Sequence, residues 1–109
     1  MDISTKKEGQ LAVIALSGGL DAKEAPAVKK ALQTLLAEGA LRLVVDMEAV
    51  SFIDSSGLAA LVSTLLAARK SEADVALCGL TPAVRSVLEL TRLHRVFTVY
   101  EDATAAIDR

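Results

Sequence analysis

The chain has 109 residues and a mass of 11.4 kDa, enough to bury one hydrophobic core but too short for two, so we expect a single domain over residues 1–109. Its 52% hydrophobic and 3% aromatic content excludes a disordered chain and predicts an aliphatic core, as in helices laid on a sheet. The net charge of −2 and the lack of any basic cluster longer than two residues argue against binding to nucleic acid or to anionic membranes. No apolar run typical of a signal peptide or a membrane span is present, so we expect a cytoplasmic protein without direct membrane insertion.

The first third of the chain predicts a hairpin followed by a helix. Residues 3–7 are expected to pair through Gly9 with the apolar run 11–16, which would end in a loop at residues 17–19. Apolar side chains then recur at helical spacing and predict a first helix over residues 24–38.

The middle of the chain predicts a strand, a helix and another strand. Residues 41–45 are short, apolar and rich in β-branched side chains, which is typical of an interior strand covered on both faces, and Asp46 is expected to begin its exit. A helical apolar pattern runs from Leu58 to about Lys70. Residues 75–79 predict a third core strand.

The last third predicts a helix, a strand and a short terminal helix. Thr81 is the expected N-cap of the helix, with Pro82 in its first turn. Residues 96–100 predict the last strand, and Asp102 is expected to cap a helix through Ile107. The alternating order predicts an α/β domain with a mixed sheet of four to five strands and about four helices.

The sequence holds few groups for catalysis. Its only histidine, His94, lies just past the third predicted helix and is interpreted as a surface or loop residue. Neither Ser55 nor Ser56 has the glycine two residues earlier that a nucleophile elbow requires. The only cysteine, Cys78, lies in an apolar strand and is interpreted as a buried, inert thiol. We therefore do not expect an enzyme.

No cofactor or metal is expected either. The chain has no Gly-x-x-x-x-Gly-Lys-Ser/Thr motif for phosphate binding. The acidic residues Asp46, Glu48 and Asp54 lie near one another in sequence, but we interpret them as a solvated loop at the sheet edge rather than a divalent-ion site.

The stretch Phe-Ile-Asp-Ser-Ser-Gly at residues 52–57 joins an apolar strand to the second helix. One of Asp54, Ser55 and Ser56 is expected to cap that helix. Gly57 has no side chain to cover the helix start, so the neighbouring hydroxyls are expected to be accessible. Free N–H groups and the helix dipole would also favour a phosphate there. Capping alone and a phosphorylated serine both remain open at this point.

The same residues carry a family resemblance. Asp54-Ser55-Ser56-Gly57-Leu58 resembles the signature of the STAS domain, the fold of bacterial anti-sigma factor antagonists and of sulfate-transporter tails. Gly18-Gly19-Leu20-Asp21 resembles the first-loop motif of the family. The segments 78–85 and 88–97 resemble its third strand and third helix, so the resemblance extends over essentially the whole chain.

The resemblance implies a regulatory binding module. In the antagonists of this family, the serine after the aspartate, here Ser55, is phosphorylated by an anti-sigma factor that is also an ATP-dependent serine kinase. The unphosphorylated antagonist captures that kinase and frees a sigma factor, and a metal-dependent phosphoserine phosphatase restores it after phosphorylation. Ser56 would be the cap or a hydrogen-bonding neighbour. The resemblance, together with the exposure expected for helix two, implies partner contacts at Asp21, Asp54, Ser55, Ser56, Gly57, Ala59 and Ser63.

Two departures and two alternatives accompany this interpretation. Gly19 stands where the family commonly has an acidic or larger polar residue, which predicts a more flexible first loop. Arg92 stands where a glycine often follows the third helix in a left-handed conformation. The chain could instead be a STAS accessory subunit of a lipid ABC-type transporter or of a stress-signalling scaffold, with no phosphorylation. A small-ligand or nucleotide module has no motif to support it.

Overall fold

Five strands form one mixed sheet in the computed structural model, which describes residues 1–108. The strands, in sheet order, are β1 (Asp2–Glu8), β2 (Leu11–Leu20), β3 (Arg42–Ile53), β4 (Asp74–Cys78) and β5 (Thr98–Tyr100). The helices are α1 (Ala25–Ala37), α2 (Ser55–Lys70), α3 (Pro82–Leu90) and α4 (Ala103–Ile107), with a 3₁₀ turn at Leu93–Arg95. The expected α/β class, with a mixed sheet and four helices, is confirmed. Arg109, the last residue of the expected domain 1–109, lies outside the described residues.

The strand pairing follows from the connections. β1 and β2 pair antiparallel through a tight turn in which Gly9 has φ +60°, a conformation that glycine adopts without strain. β2, β3, β4 and β5 pair parallel, and each parallel connection contains a helix. Helix starts therefore gather at the carboxyl edge of the parallel strands.

β2 and β3 are longer than the sequence predicted. Residues 17–19, expected to form a loop, belong to β2, and Asp46 pairs with Ala15 and Cys78 inside β3 instead of beginning its exit. Both strands are extended because Ser17 to Leu20 pair with Ala49 to Ile53. This pairing gives hydrogen-bond partners to backbone N–H and C=O groups that would lack them in a loop. These ends of β2 and β3 extend beyond the paired part of β4.

The larger core lies between the sheet and helices α1, α2 and α3. It is aliphatic apart from Phe97 and includes the fully buried Ile14, Val45 and Leu77. A smaller cluster on the opposite face joins Val44 and Cys78 to α4. β3 is therefore covered on both faces, as its apolar run predicted. Across residues 1–108, no helix combines the length and hydrophobicity that crossing a bilayer requires.

The ends of the later elements agree with their signals. Thr81 caps α3, with Pro82 as its first residue. Asp102 caps α4, and its Oδ1 accepts from the Ala105 N–H at 2.8 Å. Arg92 follows α3 with φ +61°, the left-handed conformation expected there. The last strand is shorter than predicted, since β5 begins at Thr98.

Candidate functional site

Asp54 is the N-cap of α2 and joins two loops. Its Oδ1 accepts hydrogen bonds from the backbone N–H groups of Ser56 at 2.9 Å and Gly57 at 3.0 Å. Its Oδ2 accepts from the N–H of Ala22, in the connection between β2 and α1, at 3.1 Å. One carboxylate therefore caps the helix and holds the neighbouring loop, and Ser56, an expected alternative cap, is a donor to it.

Asp21 shapes the same junction from the first loop. Its Oδ1 accepts from the N–H groups of Lys23 and Glu24, each at 3.1 Å, which closes the turn leading into α1. The next residue, Ala22, is the one that donates to Asp54. The structure thus brings Asp21 and Asp54 together, and both half-buried carboxylates are engaged by backbone amides.

Ser55 and Ser56 follow the cap as the first two residues of α2. Ser55 is exposed and Ser56 is half-buried. Within residues 1–108 the structure gives neither hydroxyl a hydrogen-bond partner. The expected free N–H groups are not available at Ser56 and Gly57, because the Asp54 carboxylate already accepts from both. The support that free N–H groups were expected to give a phosphate is therefore absent at these two positions.

Gly57 allows close packing and is not itself exposed. It is buried, and a Cβ built there would lie 2.6 Å from the Leu20 carbonyl oxygen and 2.7 Å from Ile53 Cγ1. Glycine lets the first turn of α2 approach the ends of β2 and β3 closely. The partner contact expected at Gly57 stays a prediction, and because this residue is buried, any such contact would involve little of its own surface.

The two small residues further along α2 have different surroundings. Ala59 is exposed and borders a groove of about 390 Å³ between the first turns of α1 and α2. Ser63 was also expected to be exposed, but it is half-buried, and its Oγ accepts a long hydrogen bond of 3.5 Å from Gln33 of α1. Of the two, only Ala59 is exposed.

Phe52 is a surface residue that the sequence patterns do not single out. It is 47% exposed, and its ring lies over Gly19, where an added Cβ would be 2.1 Å from the ring. Gly19 is therefore part of β2 and a seat for the ring, not the flexible loop residue expected. A bulge places Ser51 between the Gly18–Val50 and Gly19–Phe52 pairs and turns Phe52 outward. The pair Phe52-Ile53 is only a partial signal: adjacent strand residues point to opposite faces, but the bulge decides which of the two faces outward.

The remaining candidate groups lie apart from this junction. His94 is exposed in the 3₁₀ turn. Cys78 is buried, as expected, and this burial, with smaller contributions from Asp46, Asp102 and Glu48, raises the pKa of its thiol to about 12. Nowhere in residues 1–108 do three or more His, Cys, Asp or Glu side chains gather closely enough to hold a metal ion.

Comparison with known proteins identifies the architecture. The STAS domain model matches residues 2–106. An anti-sigma-B factor antagonist of Listeria monocytogenes is 30% identical over 86 residues, covering 79% of this chain and 75% of the relative. The Staphylococcus aureus anti-sigma-B factor antagonist is 26% identical over 101 residues, covering 93% and 94%.

A solved structure gives the same result in three dimensions. An anti-sigma factor antagonist from Mycobacterium paratuberculosis superposes with a TM-score of 0.89 at 28% identity, covering 98% of this chain and 91% of the other. The matched residues include both loops that Asp54 joins and the whole of α2. The chain belongs to the STAS domain family.

Proposed function

We propose that this protein is an anti-sigma factor antagonist whose partner is both an anti-sigma factor and a serine kinase that phosphorylates Ser55. The proposal rests on the different roles of Asp54 and Ser55 at the start of α2. Asp54 supplies the helix cap and the contact to the first loop, while the Ser55 hydroxyl is exposed and has no bonding role in the fold. The antagonist relatives make an anti-sigma factor the expected partner.

Ser55 fits the role of phosphoacceptor better than Ser56. A kinase must bring the terminal phosphate of ATP in line with the attacking hydroxyl, which requires open space around that oxygen. Ser55 is exposed at the first helical position, whereas Ser56 is half-buried and borders the groove between α1 and α2. We therefore assign the modification to Ser55.

Phosphorylation would change the surface without dismantling the fold. A phosphoserine carries about −1.5 to −2 charges, and at Ser55 it would stand beside the Asp54 carboxylate. The positive end of the α2 dipole offsets part of this repulsion, so the domain stays folded. In the complex, however, the added charge would have to be desolvated against groups that had met a neutral hydroxyl, so the partner dissociates. A phosphoserine phosphatase then returns the protein to its binding form.

In this proposal the chain is a binding protein and not an enzyme. The kinase and the phosphatase supply the catalytic groups, and the antagonist needs no cofactor of its own. Its contact surface comprises Asp21, Asp54, Ser55, Ser56 and Ala59, which the two loops and the first turns of α1 and α2 present together.

The test is to map the phosphate. The protein is incubated with ATP and an extract of its source organism, and the modified residue is located by mass spectrometry. We expect modification of the wild type and of Ser56→Ala, and none of Ser55→Ala. The unmodified protein, which is the form that binds the kinase in this proposal, then serves to isolate it. Modification that persists in Ser55→Ala would exclude the assignment.

A second result would favour the accessory-subunit alternative. If no phosphate is added and the protein is recovered in a stable complex with transporter or scaffold components, the phosphorylation switch is wrong. Ser55→Ala would then leave that complex intact.

A further inference from the structure

We propose that Phe52 is the apolar anchor of the partner contact and inserts its ring into an apolar pocket on the anti-sigma factor. This inference rests on the proposed function and adds a residue to it. It places part of the contact on the ends of β2 and β3, outside the serine-bearing turn and α2.

Phe52 has the exposure of a binding residue and not of a core residue. Its exposed fraction is 47%, whereas Phe97, the other phenylalanine, is 4% exposed in the main core. Aromatic side chains are enriched among the residues that contribute most to protein–protein affinity. A half-exposed ring therefore offers apolar area that a partner can remove from water.

Phe52 is close enough to Ser55 to share its partner. Three residues of extended chain span at most about 11 Å. A standard interface covers about 800 Å² of each protein, which corresponds to a disc about 16 Å in radius. A partner whose contact area is centred on Ser55 and extends over the carboxyl edge of the sheet would therefore also cover the Phe52 ring.

The ring is held in place before binding. Phe52 lies in β3, paired with Gly19 of β2, and the bare Cα of Gly19 gives the ring its seat. A side chain that is already positioned loses less conformational entropy on binding than a mobile one. Gly19 therefore acts as a positioning residue for the anchor.

The test measures the affinity of the purified anti-sigma factor for matched variants by isothermal titration calorimetry. Phe52→Ala is expected to weaken binding about tenfold or more, because it removes the ring. Gly19→Ala keeps the ring but displaces it through the added Cβ, so it should weaken binding several-fold. Alanine can adopt the backbone at this position, because Gly19 lies in β2 and its φ is outside the left-handed region. Urea unfolding of each variant checks that the domain is folded.

Leu90→Ala is the matched control. Leu90 is 84% exposed at the end of α3, and α3 runs from the carboxyl edge of the sheet toward the start of β5. Leu90 is therefore at the opposite edge from Ser55, and its loss should leave affinity unchanged.

Unchanged affinity in a folded Phe52→Ala protein, or an equal loss in Leu90→Ala, would overturn the anchor and leave the proposed function standing. A kinase that phosphorylates Ser55 but binds both β-strand variants like the wild type would overturn the anchor in the same way. If wild-type protein binds no anti-sigma factor, the proposed function fails, and the anchor fails with it.

Discussion

Helices α2 and α3 both begin beyond a parallel strand of the sheet, and each has an N-cap side chain that bears oxygen. Asp54 caps α2 with Oδ1 and uses Oδ2 to hold the Ala22 N–H of the first loop. Thr81 has a single oxygen, which accepts from Val84 N–H at 3.4 Å and donates to the Val50 carbonyl at 3.0 Å. The carboxylate therefore serves three donors, and the hydroxyl serves one donor and one acceptor.

The first and third helical positions after the two caps also differ between α2 and α3. The first helical position is Ser55 in α2 and Pro82 in α3, so only α2 presents a hydroxyl there. The third position is Gly57 in α2 and the buried Val84 in α3. The start of α2 is thus pressed closely onto β2 and β3 through a glycine, with its cap fully supplied by Asp54. In α2 the helix cap is therefore provided without the Ser55 hydroxyl, which remains exposed.

The largest effect on stability should come from Asp54→Ala. The change removes the acceptor of three backbone donors, so we expect the free energy of unfolding to fall by about 3 kcal/mol. Asp54→Ser keeps a side-chain cap, but its single hydroxyl oxygen cannot also accept the hydrogen bond from Ala22. We expect its free energy of unfolding to fall by about 1 to 2 kcal/mol. Urea unfolding measures both. An Asp54→Ala loss no larger than that of Thr81→Ala would contradict the double role of the carboxylate.

Gly57→Ala should be the next largest. Alanine is the better helix former by about 1 kcal/mol, but its Cβ would overlap the Leu20 carbonyl, and we expect a net loss of about 2 kcal/mol. The matched control is Ser56→Ala, one position earlier, with a change within about 0.5 kcal/mol. Thermal unfolding of the two variants shows whether Gly57→Ala stabilises or destabilises the domain. A stabilised Gly57→Ala protein would mean that α2 does not pack so closely.

Thr81→Ala should have a smaller effect. The cap bond is long at 3.4 Å, so its loss and that of the bond to Val50 should lower the free energy of unfolding by about 1 kcal/mol. Thr81→Ser retains the oxygen and should stay within about 0.5 kcal/mol of the wild type. Equal losses in the two variants would point to the methyl group instead of the hydroxyl.

Ser55→Ala should have the smallest effect, within about 0.5 kcal/mol of the wild-type free energy of unfolding. Its hydroxyl contributes no hydrogen bond within residues 1–108, so the fold loses nothing specific. Ser55→Pro, which copies the first position of α3, should also fold, because Asp54 has the extended backbone that a following proline requires. A loss above about 1 kcal/mol in Ser55→Ala would show a structural role for the hydroxyl.

Elements that carry their own end signals could be predicted from the sequence. Thr81-Pro82, Asp102 and the left-handed position of Arg92 depend on local backbone chemistry, and all three agree with the structure. The far ends of β2 and β3 could not be predicted. Ser17-Gly18-Gly19 has turn composition, and only pairing with a distant segment makes it a strand.

The sequence offered a set of candidate site residues but no geometry for them. The resemblance associated Asp21 with Asp54, and the structure links them through Ala22. The inward direction of Gly57 and the outward direction of Phe52 depend on a close approach and a bulge, which local patterns do not encode. The exposure of these two residues therefore became known only from the structure.

The most direct measurement compares unmodified protein with protein phosphorylated at Ser55, in one buffer, for two quantities. These are the dissociation constant for the purified anti-sigma factor and the free energy of unfolding. We expect phosphorylation to lower the affinity at least about 100-fold. We also expect the free energy of unfolding to change by less than about 1 kcal/mol. Equal affinity of the two forms, or an affinity lost only because the phosphorylated protein unfolds, would rule out a charge switch at Ser55.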